Sequence, residues 1–231
     1  MHISNNMAKP ASITHLQKSI LVTFSHSSLT KQFYWTGGTA LTFFYLHHRR
    51  SYDIDFFSDT PVEYRTVYSF VKGLSEHIFL RNITQRRVFD RWEFFLKNHG
   101  EARIEFVHYD FKNLKPRKKW NGILVDSLDD MAANKTMAMI DRKEPKDAFD
   151  VFSLIQKKRY TPESLLALAK RKFGLSVPVS VFWGEGIRGA EALFELRPLL
   201  FGTKSFQDRQ IKEVISYFQR GAAELVRGRF A

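Results

Sequence analysis

Hydrophobic and polar positions alternate with helical spacing near the start of the chain. Between residues 12 and 29, apolar residues recur every three or four positions, as at Ile13, Leu16 and Ile20. This spacing predicts an amphipathic helix. The short apolar run at 33–35, which ends at two glycines, predicts a strand followed by a tight turn.

Helix and strand patterns continue to alternate after the glycines. Thr39 can cap a helix that runs from Ala40 to about His47. A strand is predicted from Tyr52 to Phe57. Pro61 suits the first turn of a further helix, which ends near His77.

The second half of the chain changes from strand to helix patterns. From Ile78 to Tyr109, β-favouring stretches recur around a turn signal at Asn98-His99-Gly100, which predicts an antiparallel addition to the sheet. From Ser127 onward the pattern is helical. We therefore predict the α+β class, with a small mixed β-sheet and its helices at 1–120 and an α-helical C-terminal domain at 121–231 that completes the active-site cleft.

Composition and charge narrow the class of protein. Lys and Arg number 36 against 24 Asp and Glu, a net charge of +12, which favours a polyanionic partner such as nucleic acid. The chain has no cysteine, so disulfides and thiolate metal sites are excluded. The stretch 1–12 is polar and no apolar run approaches the roughly 20 residues that a membrane span needs. We expect a cytoplasmic protein with no membrane segment.

Two aspartates in the predicted strand at 52–57 are candidate metal ligands. Strand alternation turns Asp53 and Asp55 to one face, while Ile54 and Phe56 point to a hydrophobic layer. Two converging carboxylates repel each other unless a cation lies between them, and a hard divalent ion with oxygen ligands satisfies this condition. The alternative is an exposed strand with solvated acids.

The glycine turn and a third acid extend this candidate site. Gly37, Gly38 and Thr39 join a strand to a helix, where free backbone N–H groups attract phosphate and the Thr39 hydroxyl can add a donor. Glu105 lies on a later strand between Ile104 and Phe106, which face the other way. Its alternative role is an outward-facing glutamate paired with Arg103 or Lys97. We predict a site for two Mg²⁺ (or Mn²⁺) ions at Asp53, Asp55 and Glu105, with a nucleoside triphosphate as co-substrate.

Four segments of the chain resemble a known family. They read FYWTGGTAL at 33–41, RSYDIDFF at 50–57, KTMAMIDR at 135–142 and KDAFDVFSL at 146–154. In order and spacing they resemble the AbiEii/AbiGii toxin family of DNA polymerase beta-like nucleotidyltransferases, which includes the MenT-like toxins. Val151 stands where the family usually has leucine.

The resemblance implies roles for further residues. It implies that Lys135 acts in nucleotide binding or catalysis, that Asp147 is an active-site acid, and that Arg50 and Ser51 belong to the nucleotide-binding segment. Asp150 then holds Arg142 or Lys146, although sequence alone does not separate the two aspartates. The resemblance further implies a toxin of a toxin-antitoxin or phage-defence pair, with a cognate antitoxin. Its relatives add nucleotides to the tRNA acceptor end.

Three functions stay open at this point. The first is transfer of a nucleoside monophosphate from an NTP to a hydroxyl of RNA or protein. The second is a non-catalytic nucleic-acid-binding or regulatory module, whose mark would be a missing acid or lysine. The third is a nuclease, since three acids and two metals also serve hydrolysis.

A basic surface is predicted for the RNA partner. It combines the connector 112–119 with the cluster 157–159 and offers Trp120 as a face on which an unpaired base could stack. The alternative is that these lysines only keep a connector solvated.

Overall fold

The structure is a computed structural model and describes residues 13–78, 82–97 and 101–230. The α-helices are α1 (His15–Ser25), α2 (Gly37–Leu41), α3 (Tyr64–His77), α4 (Leu128–Arg142), α5 (Pro145–Lys158), α6 (Pro162–Phe173), α7 (Val179–Glu191) and α8 (Lys204–Phe230). The strands are β1 (Phe33–Thr36), β2 (Ile54–Ser58), β3 (Asn82–Val88), β4 (Arg91–Lys97), β5 (Glu101–His108), β6 (Lys118–Trp120) and β7 (Ile123–Val125). Short 3-10 segments lie at Ser28–Lys31 and Leu193–Leu199, and a π-helix at Thr42–Leu46 follows α2. The polar stretch 1–12 and the turn predicted at 98–100 lie outside the described residues.

The strands of the described residues form one mixed sheet in the order β3-β4-β5-β2-β1-β7-β6. β1 is antiparallel to β2 and parallel to β7, and β2 is parallel to β5. The antiparallel addition predicted for β3, β4 and β5 is confirmed, as is the α+β class. The domain boundary near residue 120 stays a prediction, and it falls between β6 and β7, which pair with each other.

The two faces of the sheet differ sharply in chemistry. Alternate residues of β2, β4 and β5 build an apolar face against α1 and α3, where Phe24 stacks on Phe56 with ring centroids 3.7 Å apart. Ile54, Ile104 and Phe106 on this face are fully buried. The residues between them point to the other side, which we call the open face. It carries the predicted acids.

Two predicted helix starts are wrong. The helix after the glycines begins at Gly37 rather than Ala40, and Thr39 lies inside it, where its hydroxyl bonds the Asp53 carbonyl and Ser51 Oγ instead of capping. The helix predicted from Pro61 begins at Tyr64. The segment before it is held in another conformation, because the Gln32 amide donates to the Pro61 carbonyl over 3.0 Å.

The helical remainder packs as a bundle beside the sheet. α4 contacts α5, α6 and α7, and α7 packs along α8. A Cβ at Gly186 on α7 would collide with the Phe218 ring of α8, so glycine permits this close approach. Within the described residues, none of the helices combines the length and apolarity needed to cross a membrane.

Candidate active site

A cavity of about 860 Å³ separates the open face of the sheet from the helical bundle. One wall is formed by the glycine turn and by Asp53, Asp55 and Glu105. The opposite wall is formed by α4 and by the loop after it, including Lys135 and Arg142. The cavity therefore places the three predicted acids on one side and Lys135 and Arg142 on the other.

The predicted acids lie in register across the sheet. Asp55 on β2 is opposite Glu105 on β5, and Glu105 is opposite Glu93 on β4. Burial raises the pKa of Asp55 to about 7, and the negative charges of Glu105 and Asp53 add to the effect. Burial also raises the pKa of Glu105, although Arg103 and Arg91 oppose it. We call Asp53, Asp55 and Glu105 the acid row.

One guanidinium bridges the ends of the acid row. Arg103 Nη2 lies 2.6 Å from Asp53 Oδ2 and 2.8 Å from Glu105 Oε1. The alternative foreseen for Glu105 was an outward-facing side chain paired with Arg103 or Lys97; the pair with Arg103 is present, but Glu105 is buried. In their present positions no three acidic or histidine side chains within the described ranges are gathered closely enough to enclose a metal. The Arg103 guanidinium lies between the carboxylates of Asp53 and Glu105.

The donor chemistry nevertheless fits a divalent cation. Carboxylate oxygens are the ligands that Mg²⁺ and Mn²⁺ prefer. Burial raises the pKa of Asp55 most, the negative charges of Glu105 and Asp53 raise it further, and Arg103 and Lys135 lower it. A metal ion between these oxygens requires Arg103 to move aside.

The glycine turn lies between the acid row and the cations. Gly37 has a φ of +77° and packs directly against the Asp55 carboxylate, where a Cβ would collide. A Cβ at Gly38 would lie 2.9 Å from Arg49 Nη2 and 3.8 Å from Lys135 Nζ. Glycine is therefore required at both positions, because functional side chains of both signs approach the backbone here.

Behind this turn lies a buried cluster of ion pairs. Asp150 accepts hydrogen bonds from Arg49 Nε at 2.7 Å and Nη2 at 2.8 Å, and from His48 Nε2 at 2.6 Å. Burial lowers the pKa of His48 to about 4, so the imidazole donates as a neutral group. Burial opposes the charge of Asp150, but Arg49 and Lys135 outweigh it and hold the pKa of Asp150 well below its usual value.

Asp147 occupies the other end of this cluster. Lys135 Nζ lies 2.8 Å from both Asp147 Oδ1 and Asp150 Oδ2, and Arg142 Nε lies 2.7 Å from Asp147 Oδ2. Asp147, not Asp150, therefore holds Arg142, which corrects the predicted pairing. Lys146 instead lies 3.9 Å from Glu144. We call Asp147 and Asp150 with Arg49, Lys135 and Arg142 the ion-pair cluster.

The remaining predicted nucleotide-binding residues separate into two groups. Ser51 lines the cavity, and the Thr39 hydroxyl ties Ser51 to the turn. Arg50 points away to the segment before α8, where Nη1 donates to the Leu200 carbonyl over 2.9 Å. Its neighbour Arg49 lines the cavity instead.

Glu93 and Arg103 also lie on the open face of the sheet, and no function was predicted for either from the sequence. Glu93 is 1% exposed and pairs with Arg86 and Arg91. The sequence pattern could have predicted the position of Glu93. Trp92 and Phe94 flank it in an alternating strand, which places Glu93 on the face opposite to theirs. The same alternation places Arg103 beside Glu105.

The predicted RNA surface is only partly exposed. Trp120 packs against Trp35, Phe43 and Phe44 with ring centroids 5.6 Å apart, so it is partly buried. Arg117 pairs with Asp59 over 2.6 Å, and its side chain is only 13% exposed. The cations left exposed in the connector and at the end of α5 are Lys112, Lys115, Lys118, Lys119, Lys157, Lys158 and Arg159.

Comparison with solved structures identifies the class of fold. A Helicobacter pylori protein assigned as a nucleotidyltransferase matches with a TM-score of 0.57 and 16% identity, over 91% of this chain and 94% of that one. The crystal structure of JHP933 from Helicobacter pylori matches with a TM-score of 0.57 and 14% sequence identity, over 94% of this chain and 97% of that one. The likeness is one of fold, and the fold is that of nucleotidyltransferases.

The family follows from the sequence. The model of the nucleotidyl transferase AbiEii toxin family, a Type IV toxin-antitoxin system, matches residues 19–222. The chain belongs to this family of nucleotidyltransferases, which confirms the resemblance. A protein of Aquifex aeolicus (strain VF5) with no assigned function is 28% identical over 195 residues, which are 81% of this chain and 90% of its own length.

Proposed function

We propose that the chain transfers a nucleoside monophosphate from an NTP to a hydroxyl group of RNA and does so as the toxin of a toxin-antitoxin pair. One observation carries the proposal. The cavity unites the glycine turn, the acid row and the cations Lys135 and Arg142. A non-catalytic module has no need for this combination of opposed charges.

The acid row would hold two Mg²⁺ or Mn²⁺ ions. Asp53, Asp55 and Glu105 supply the oxygen donors, and Arg103 leaves its position between them. When bound, the ions would supply Lewis-acid stabilisation of the α-phosphate and a lowered pKa for the acceptor hydroxyl. In the metal-free protein Arg103 offsets part of the repulsion among these carboxylates.

The cations across the cavity would bind the phosphates. Lys135 is charged because Asp150 and Asp147 raise its pKa against the effect of burial. Its ammonium lies close to Gly38, and Arg142 lies beside it on the same wall. These groups can neutralise the charge of the leaving pyrophosphate, while Asp147 fixes their positions. Asp147 is then a positioning residue rather than a ligand of the ions.

The apolar end of the cavity suits the base of the NTP. Tyr109, Phe111 and Phe173 form a contiguous aromatic group with ring centroids 5.0 and 4.9 Å apart, and Phe111 is 40% exposed. All three line the cavity. An aromatic ring can stack on any base, so this group gives affinity without fixing which NTP is used.

The chemical step is a displacement at the α-phosphorus. The acceptor oxygen forms a bond to the α-phosphorus, the bond from that phosphorus to the bridging oxygen of the β-phosphate breaks, and pyrophosphate leaves with the electron pair. The hydroxyl proton is lost to solvent. In-line attack requires the acceptor oxygen and the pyrophosphate on opposite sides of the α-phosphorus.

The family and the net charge of +12 favour RNA, including the tRNA acceptor end, as the polyanionic acceptor. We further propose a cognate antitoxin as protein partner and the cytoplasm as the site of action. The test is incubation with each α-labelled NTP, Mg²⁺ and total RNA, followed by separate extraction of RNA and protein. Label in an RNA fraction supports the proposal. Label in protein alone, or in neither, contradicts it.

A further inference from the structure

A second cavity adjoins the acid row on the open face of the sheet. It measures about 500 Å³ and shares Asp53 and Arg103 with the active-site cavity. Its remaining walls are built by Tyr52, by residues of β3 and β4, and by the first residues of β5. Nothing in the proposed chemistry so far uses this cavity.

The residues along β5 show where the two cavities lie relative to the acid row. Glu101 and Arg103 line the second cavity, while Arg103, Glu105 and Val107 line the active-site cavity. The aromatic group at Tyr109 follows Glu105 along β5, and Lys135 lies beside Gly38 on the β1 side of the acid row, away from β3 and β4. The acid row is therefore flanked by two cavities, and a transferase needs one substrate on each side of its reacting atoms.

Two exposed aromatic rings line the second cavity. Tyr52 is 41% exposed and Phe95 is 37% exposed. Phe95 projects from β4 between Thr84 on β3 and Arg103 on β5, which are its register partners. Aromatic rings exposed in a concave surface favour a ligand with a flat face.

Cations and hydrogen-bonding groups surround these rings. Arg86 lies over the Phe95 ring at 5.6 Å, and although it pairs with Glu93 its side chain is 59% exposed. Lys97 pairs with Glu101 over 3.0 Å, but its side chain is 69% exposed, and it lines the cavity with Asn82 and Thr84. Cations beside an aromatic platform are the combination by which proteins bind single-stranded nucleic acid.

We propose that the second cavity binds the terminal nucleobase of the acceptor RNA strand. The base stacks on Phe95 and Tyr52, Arg86 and Lys97 contact the adjoining phosphates, and the terminal ribose hydroxyl reaches the acid row past Asp53. The inference rests on the proposed function, because it names the acceptor side of that reaction.

A binding experiment without NTP tests this site directly. The probe is a short single-stranded RNA whose 3′-terminal base is 2-aminopurine, which loses fluorescence when it stacks. We expect quenching by the wild-type protein and by Phe95→Trp, and affinity reduced about tenfold, with loss of quenching, in Phe95→Ala. Tyr68→Ala is the matched control, since Tyr68 is 43% exposed on α3 and lies outside both cavities. Should Phe95→Ala not fold, Tyr52→Ala provides the same comparison.

Kinetics separate this inference from the proposed function. In Phe95→Ala the KM for acceptor RNA should rise about tenfold while the KM for NTP stays unchanged. Quenching without any transfer by the wild-type protein would end the proposed function and leave the binding site standing. Equal quenching and equal KM for RNA in wild type and Phe95→Ala would overturn the site. Transfer to a protein acceptor that Phe95→Ala does not impair would overturn it as well.

Discussion

The acid row and the ion-pair cluster contain the same kind of residue in opposite electrostatic conditions. In the acid row, burial and like charges raise the pKa of Asp55 to about 7. In the ion-pair cluster, cations hold the pKa values of Asp147 and Asp150 below their usual range despite burial. Both regions adjoin the same glycine turn, one at Gly37 and the other at Gly38.

This difference indicates which carboxylates are available for chemistry. Asp150 has its oxygens occupied by Arg49, His48 and Lys135, so it has no capacity left for an ion or a substrate. The acid row carries an excess of negative charge that a divalent cation would relieve. We infer that the two aspartates of the ion-pair cluster hold Lys135 and Arg142 in position, while the carboxylates of the acid row would bind the metal ions.

The largest expected effect is on activity in the acid row. Asp55→Asn keeps the shape of the side chain and removes its charge, so we expect transfer to fall by about a thousandfold or more as a metal ligand is weakened. The free energy of unfolding without metal should stay equal or rise, because repulsion with Glu105 is relieved. Steady-state transfer and urea denaturation measure the two effects. Asp90→Asn, in the exposed turn between β3 and β4, is the control.

The ion-pair cluster should respond in the reverse sense, with stability as the main loss. Asp150→Ala leaves Arg49 and Lys135 buried beside each other without their carboxylate, and removing one partner of a buried pair costs about 3 to 5 kcal/mol. Urea denaturation at neutral pH should show this loss. Because the pKa of Asp150 is depressed, its contribution is present above the usual aspartate pKa of about 4 and is lost as the pH falls below it. An Asp150→Ala variant as stable as wild type would remove the distinction between the two regions.

Lys135 lies between the acid row and the aspartates of the ion-pair cluster, so its replacement should affect both transfer activity and stability. Lys135→Ala should lower transfer by about a hundredfold, equivalent to about 3 kcal/mol, because a cation at the leaving phosphate is lost. Arginine is not expected to restore activity, since the buried site fits a single ammonium between two aspartates. The kcat/KM for NTP is the measurement, with Lys158→Ala at the exposed end of α5 as control. A loss below about tenfold would assign Lys135 to structural support alone.

The smallest effect concerns the competition between Arg103 and metal. Arg103→Gln removes a guanidinium from the place where an ion would bind, so Mn²⁺ should bind about fivefold more tightly, as partly exposed ion pairs contribute about 1 kcal/mol or less. Calorimetric titration of the protein with Mn²⁺ measures this without turnover. Weaker binding in the variant would show instead that Arg103 helps to position the acids.

Strand alternation predicted the acid row but not its surroundings. Asp53, Asp55 and Glu105 could be placed on one face from the period of two, and the register of β2 with β5 confirms that Asp55 and Glu105 are neighbours. The pairing of Arg103 with Glu105 was one of the alternatives, but its second contact, to Asp53, could not be predicted, because it depends on side-chain rotamers and on which strands pair. The same holds for the start of α2, where the Thr39 hydroxyl prefers the Asp53 carbonyl to a capping role.

Contacts between distant segments account for the other differences. The pairing of Arg142 with Asp147 rather than Asp150 depends on how α4 meets α5. Trp120 follows a run of lysines in sequence, yet it packs beside Trp35 because β7 joins the sheet next to β1. The sequence around a residue predicts its exposure only where the residues that pack against it are also close in sequence.

The most direct test of the account is whether the α-phosphate of an NTP moves to RNA at the acid row. Wild type and Asp55→Asn are incubated in parallel with Mg²⁺, total RNA and NTP labelled either at the α- or at the γ-phosphate. We predict that wild type places the α-label in RNA and releases the γ-label as pyrophosphate, that omission of Mg²⁺ stops both, and that Asp55→Asn does neither. Incorporation of the γ-label, or α-labelling of RNA by Asp55→Asn at the wild-type rate, would contradict the account.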